Sequence, residues 1–228
     1  MPSKLVGFIH TTPVTIGMVE NFMKRYLPDV EYVHVYNGLV KRDNFSSLVG
    51  VTPKINLLRY ANIAQELQNA GCDLIVSCCS LMPRATEYAS KVVDIPVIQL
   101  DSILLQKAVE NYSKIGVEVT TEYVIPYVKE GLESRALALG KKVEIIFSEN
   151  TWALDLFNKG EFEAYDRIVL EDMKKLELKG VDCILMGQIP FAIMEDKIKE
   201  ASFKVPVLFA GEIAFKHIAE LLKESRPN

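Results

Sequence analysis

Two adjacent thiols are the residues best suited to chemistry. Cys78 and Cys79 lie in Ser77-Cys78-Cys79-Ser80-Leu81-Met82-Pro83, directly behind the short apolar run Asp73–Ser77. Pro83 suits the first turn of a helix, so a thiol here sits near a helix N-terminus, whose partial positive charge favours thiolate. An ordinary cysteine pKa, about 8.5, would thereby come into range for a base or nucleophile near neutral pH. The surrounding N–H groups and Ser80 could hold an anion. Free cysteines also serve as small buried apolar residues. Position behind a strand favours a functional role for the pair. Cys72 and Cys183 fall at the start of or inside strands and read as packing.

Other polar residues follow other apolar runs. His10-Thr11-Thr12-Pro13 comes after the first and Thr120-Thr121-Glu122-Tyr123 after the fifth, and the step from Thr11 to Thr121 equals that from Leu5 to Ile115. Paired hydroxyls beside helix-start amides suit one or two carboxylates; the plainer reading makes these threonines N-caps. His10 could act as a general acid, although a lone histidine in such a place is more often only hydrogen-bonded. Met186-Gly187-Gln188-Ile189-Pro190 follows the seventh run and carries no cysteine. Neither GxGxxG nor GxxxxGK(S/T) occurs, which argues against a dinucleotide or nucleoside triphosphate. With no CxxC and three scattered histidines, no metal site is expected.

These residues need a scaffold, and the chain spells one out. β-Branched runs begin at Leu5, Val30, Asp73, Pro96, Lys114, Val143, Asp182 and Pro206, separated by segments whose apolar residues recur at three and four. Examples are Ile193, Ile198 and Ala201, and Ile213, Ile218, Leu221 and Leu222. Near-continuous apolar strands alternating with helices predict parallel sheets covered on both faces. The order also repeats. Asp73 is matched by Asp182, Pro96 by Pro206, and the first strand near Leu5 by another near Ile115, all at an offset constant to within one position. The second strands, from Val30 and Val143, are spaced slightly wider. The expectation is an α/β protein of two similar α/β/α halves, each with a four-stranded parallel sheet. The halves would be residues 1–98, completed by a C-terminal helix 212–228, and residues 99–211. Ligands of open α/β sheets bind at the carboxyl ends of strands, so the active site is expected in a cleft between the halves.

Composition narrows the function classes. The 228 residues are 49% hydrophobic and 25% charged, with net charge −4 and a pI of about 5.5. A mildly acidic chain without basic runs disfavours nucleic acid as partner. No run approaches the roughly 20 apolar residues of a membrane span, and the N-terminal segment lacks the features of a signal peptide. A cytoplasmic protein without membrane partner is expected, its four cysteines remaining thiols.

The chain resembles the aspartate/glutamate/hydantoin racemase superfamily, which includes arylmalonate decarboxylases and maleate isomerases. The likeness is carried by VSCCSLMP at Val76–Pro83, IGVEVTTEY at Ile115–Tyr123 and ILMGQIPFA at Ile184–Ala192. It implies a cofactor-independent enzyme with pseudo-twofold symmetry acting beside a carboxylate, and a possible homodimer. In such racemases one cysteine removes the α-proton and a second returns a proton to the other face. The resemblance places Cys78 as the catalytic thiol. It places Thr11, Thr12, Cys79, Ser80, Thr120, Thr121 and Gln188 around a small carboxylate substrate. Gln188 stands where the second cysteine belongs, and an amide is no ordinary acid or base. Three readings follow: a racemase or isomerase, a single-cysteine decarboxylase of a substituted malonate, and a carboxylate-binding protein without catalysis. A hydrolase with Cys78 as nucleophile and His10 as base is a weaker fourth. Tyr36, Asn37, Trp152 and Phe191 are candidates for substrate selection.

Overall fold

The computed structural model describes residues 4–224, arranged as two compact units. One runs to Asp101 and resumes at Gly211; the other spans Ser102–Ala210. The first contains β1 (Leu5–His10), α1 (Val14–Tyr26), β2 (Glu31–Tyr36), α2 (Gly38–Phe45), α3 (Lys54–Asn69), β3 (Leu74–Ser77), α4 (Pro83–Ser90) and β4 (Val97–Gln99). The second contains α5 (Ser102–Asn111), β5 (Lys114–Glu118), α6 (Ile125–Ala138), β6 (Glu144–Phe147), α7 (Leu154–Lys159), α8 (Phe162–Leu178), β7 (Cys183–Met186), α9 (Glu195–Glu200) and β8 (Val207–Leu208). The chain then returns to the first unit as α10 (Glu212–Glu224). Residues 225–228 of the expected final helix lie outside the described residues.

All eight apolar runs form strands. They build two four-stranded parallel sheets, ordered β2-β1-β3-β4 and β6-β5-β7-β8. The central strands are mainly apolar, as strands covered on both faces by helices must be, with polar residues at their ends; β3 and β7 are buried along their whole length. Edge strand β2 alternates instead between exposed and partly covered residues.

The repeated aspartates have a structural role. Asp73 accepts the Leu5 amide at 2.9 Å, and Asp182 accepts the Lys114 amide at 2.7 Å. Each carboxylate therefore caps the first amide of a central strand and sets how that strand enters the sheet. In the second unit, Tyr165, Val169, Met173 and Leu176 project from one face of α8 onto Ile184, Met186 and Phe191. The apolar face expected over Ile193, Ile198 and Ala201 is broken. Pro190 opens a 3-10 turn over Ile189–Met194, which turns Ile193 outward and buries Met194 and Ile198 instead.

In the first unit, Phe215 of α10 stacks on Phe22 of α1 and on Phe8 of β1, with centroids 5.1 and 6.4 Å apart. Beside this aromatic layer lies His10, fully buried. Its Nδ1 is 2.7 Å from the Thr15 hydroxyl and its Nε2 is 2.8 Å from Nδ1 of His34. Burial, with the neighbouring His34, lowers the His10 pKa from 6.5 to about 3. The folded protein thus refuses a proton that the unfolded chain accepts below pH 6.5, so stability falls as pH drops from 6.5 toward 3. This one group predicts a loss of about 2 kcal/mol between pH 7 and pH 5. Urea unfolding at the two values checks it. His10→Asn, which cannot take up the proton, should flatten much of that fall; an unchanged pH profile in the variant would refute the assignment.

Candidate functional site

Strand register determines which residues of the two units correspond. In the first sheet Ile9 pairs with Ser77, and in the second Glu118 pairs with Met186. The step from Ile9 to Glu118 equals that from Ser77 to Met186, and both equal the step from Asp73 to Asp182. Just beyond, the Cys78 amide donates to the Ile9 carbonyl at 2.8 Å and the Gly187 amide to the Glu118 carbonyl at 2.9 Å. Thr11 therefore corresponds to Thr120 and Thr12 to Thr121, which corrects by one position the match of Thr11 with Thr121. Likewise Cys78 corresponds to Gly187, and Cys79 to Gln188.

Alternation along an extended chain sends neighbouring side chains to opposite sides. At Gly187 an added Cβ would lie 2.9 and 3.0 Å from methyl groups of Val119 and Val117 and 3.1 Å from the Glu118 carbonyl, so that side faces packed core. Cys78 occupies the equivalent position in the first unit. It is 1% exposed, with its Sγ 3.9 Å from the Val76 carbonyl oxygen. Cys79 is half-buried and differently partnered: its sulfur receives hydrogen bonds from the Thr11 hydroxyl and from the Leu81 backbone N–H. Two donors on one sulfur stabilise a thiolate when one forms.

Both thiols are nonetheless raised in pKa, against the expectation of helix-favoured thiolate. Burial is the leading cause for each. At Cys78 the nearby Cys79 and Asp101 add to it, and at Cys79 the Thr11 and Leu81 donors offset it only in part. Desolvation of a charged sulfur outweighs the first turn of a short helix. Cys79 thus rests as a thiol with a proton to give.

The loop is braced from beneath. Gln99 Nε2 donates to the Cys79 carbonyl at 2.9 Å while its Oε1 accepts the Thr86 hydroxyl at 2.9 Å. The Ser77 hydroxyl donates to Tyr60 Oη at 3.3 Å. Ser80 is buried in the same turn, and Thr12, partly exposed, gives its carbonyl to the Thr15 hydroxyl at 2.9 Å. Both His10 ring nitrogens are engaged by Thr15 and His34, which leaves none for Cys78. The general-acid role and the Cys–His hydrolase geometry are therefore both missing.

In the second unit the thiol–hydroxyl contact has an amide counterpart. Gln188 Oε1 accepts the Thr120 N–H at 2.7 Å and the Thr120 hydroxyl at 3.0 Å. Thr121 accepts the Tyr123 amide and caps the 3-10 turn Glu122–Val124, the plainer of its two readings. Reasoning from sequence did not find Tyr165, whose hydroxyl bonds that of Thr120. Nor did it find Glu118, whose buried carboxyl is pushed well above the ordinary carboxylate range by desolvation and by nearby Asp172. Both look like ordinary residues of a helix and a strand, and only packing reveals them. Of the suggested selectivity residues, Phe191 lies in the core and Asn37 caps α2, whereas Tyr36 and Trp152 are exposed.

Among the described residues no cluster of histidine, cysteine or carboxylate suits a metal ion, and no helix is long and apolar enough to cross a membrane. The family model described as Asp/Glu/Hydantoin racemase matches residues 11–218. No curated protein matches in sequence. Similar solved structures include the glutamate racemase RacE1 of Bacillus anthracis, at 18% identity and TM-score 0.71, covering 97% of this chain and 82% of that one. Allantoin racemase from Klebsiella pneumoniae gives 15% identity and TM-score 0.71, with 97% and 89% covered. A variant of arylmalonate decarboxylase in a sulfate-associated form gives 16% and 0.60, with 98% and 97% covered. At such identities the likeness establishes the fold.

The contrast between the thiols predicts their reactivity. Iodoacetamide should label Cys79 at least about tenfold faster than Cys78, with a rate still climbing above pH 8.5 because the thiolate is scarce below it. Time-resolved peptide mass spectrometry reads both residues together. Faster labelling of Cys78 would reverse the assignment.

Proposed function

Because the chain belongs to the Asp/Glu/hydantoin racemase family, we propose that it is a racemase-like enzyme moving a proton at the carbon beside a carboxylate, with Cys79 as the acid/base. The observation that carries this reading is the sulfur of Cys79, half-buried at a strand end and held by the Thr11 hydroxyl and the Leu81 N–H. The role given by motif alone to Cys78 thus moves one residue along, and Cys78 becomes the apolar support beneath it. Thr11, Thr12 and Ser80 remain the groups proposed to meet the substrate carboxylate in this unit.

The step balances simply. As thiolate, Cys79 takes the α-proton, and the C–H electron pair moves into the carboxylate to give an enediolate. Donors around the carboxylate lower the cost of that charge. As thiol, Cys79 returns a proton to the carbon. The two sulfur donors favour the first state and burial favours the second, which keeps both within reach.

A second reading has its own support. Gln188 is no acid, and burial keeps Cys79 protonated at rest. Both suit a decarboxylase, in which cleavage of a C–C bond releases CO₂, leaves its electron pair as the enediolate, and needs only one thiol to protonate carbon.

Proton NMR in D₂O separates these outcomes, using amino acids, hydantoins and substituted malonates. The proposal expects α-deuterium incorporation, reduced about 10²–10⁴-fold in Cys79→Ala and little changed in Cys78→Ala. Loss of CO₂ with stereospecific deuteration selects the decarboxylase. Equal turnover by wild type and Cys79→Ala, or none by either, would sink the acid/base role.

A further inference from the structure

Gln188 is held in one orientation by groups that have no bearing on its own helix. It occupies the N-cap position of the 3-10 turn Ile189–Met194, yet makes no side-chain capping bond there. Its Oε1 reaches across to Thr120 instead, accepting from both the N–H and the hydroxyl. A backbone N–H can only donate, so the atom facing it is the amide oxygen, and the two ends of the amide are not interchangeable. The Nε2 must point away from Thr120. Among the described residues it has no partner.

The Thr120 hydroxyl has one proton, and that proton goes to Gln188. The Tyr165 hydroxyl meets that of Thr120, a contact that offsets part of the rise burial imposes on the tyrosine's pKa. Tyr165 is buried, and its ring stacks on Phe191, 6.4 Å between centroids, in the turn that follows Gln188. Gln188 Oε1 is thus fixed by two donors of Thr120, with Tyr165 meeting the same threonine from its other side. Reversing the amide would break two hydrogen bonds and set donor against donor. Both remaining N–H bonds are thus aimed outward from a half-buried position at a strand end.

We infer that Gln188 is an oriented, uncharged donor for a carboxylate oxygen of the ligand, with Tyr165 as its positioning residue through Thr120. This rests on the proposal that the ligand is a small carboxylate. It gives the second unit a binding role at the place where a thiol would have supplied a second acid or base. Nε2 contributes two N–H donors and no titratable proton. It can therefore hold an anion, or the enediolate oxygen that develops from it, without protonating carbon.

The test uses the full chain and three probes: malonate, succinate and acetate. In ¹⁵N-labelled protein the Gln188 side-chain NH₂ signals, identified by their loss in Gln188→Leu, should shift saturably with at least one probe. Tyr165→Phe keeps the ring stack and should weaken that probe several-fold, leaving the alkylation rate of Cys79 unchanged. Gln188→Leu should cost at least tenfold. Gln188→Glu should bind worst at pH 7.5 and recover in part at pH 5, where the carboxyl can regain a proton to donate; a merely structural role would not follow that profile. If a probe slows Cys79 alkylation while the Gln188 amide stays unmoved, or Gln188→Leu binds like wild type, this inference fails and the proposed function stands. If no probe binds at all, both fall.

Discussion

The parallel pairing of β1 with β3, and of β5 with β7, is the constraint on which the rest of the molecule depends. Hydrogen bonds along those ladders continue one residue past each pair, from Cys78 to Ile9 and from Gly187 to Glu118. That extension carries the next residues, Cys79 and Gln188, to positions where the threonines beyond β1 and β5 can bond them. A one-residue slip would exchange each pair of neighbours between core and loop. The aspartate caps at the opposite ends of β1 and β5 guard against such a slip by fixing where each strand starts.

Much of this was written in the sequence. Eight apolar runs gave eight strands, because a strand covered on both faces leaves a nearly unbroken apolar signature. The spacing of Asp73 and Asp182 carried the true offset, since each performs the same hydrogen-bonding task. Turns and edge strands, where lengths vary, drifted from it, the second strands most of all. The choice between Cys78 and Cys79 was not readable: two adjacent thiols differ only in the side of the chain they occupy, and that follows from a register set by other strands. Tyr165 was hidden for a similar reason. It lies on the apolar face of α8, and its partner Thr120 is distant in the chain.

Electrostatics corrected the chemistry more than the geometry. A cysteine before a helix suggests a lowered pKa, but α4 is short and the surroundings of the thiols include Tyr60 and nearby Asp101. Removing a thiolate from water costs more than a single helix turn returns. The same logic governs Glu118, where burial and nearby Asp172 push the carboxyl's pKa well up. At Cys78, Cys79 and Glu118 burial works against the charged form, whereas equally buried Asp172 is paired with Lys175.

Neutrality is what lets the two units diverge without refolding. Thr11 with Cys79 and Thr120 with Gln188 are the same contact between residues at the same strand positions, one ending in a thiol and the other in an amide. Each partner accepts the threonine hydroxyl, so either side chain satisfies the scaffold. What differs is the proton left over. The thiol can release its own and take it back; the amide keeps both of its hydrogens and can only direct them. A duplicated scaffold can therefore separate proton transfer from anion binding by changing one residue at a strand end, because the hydrogen bond that positions that residue accepts both chemistries.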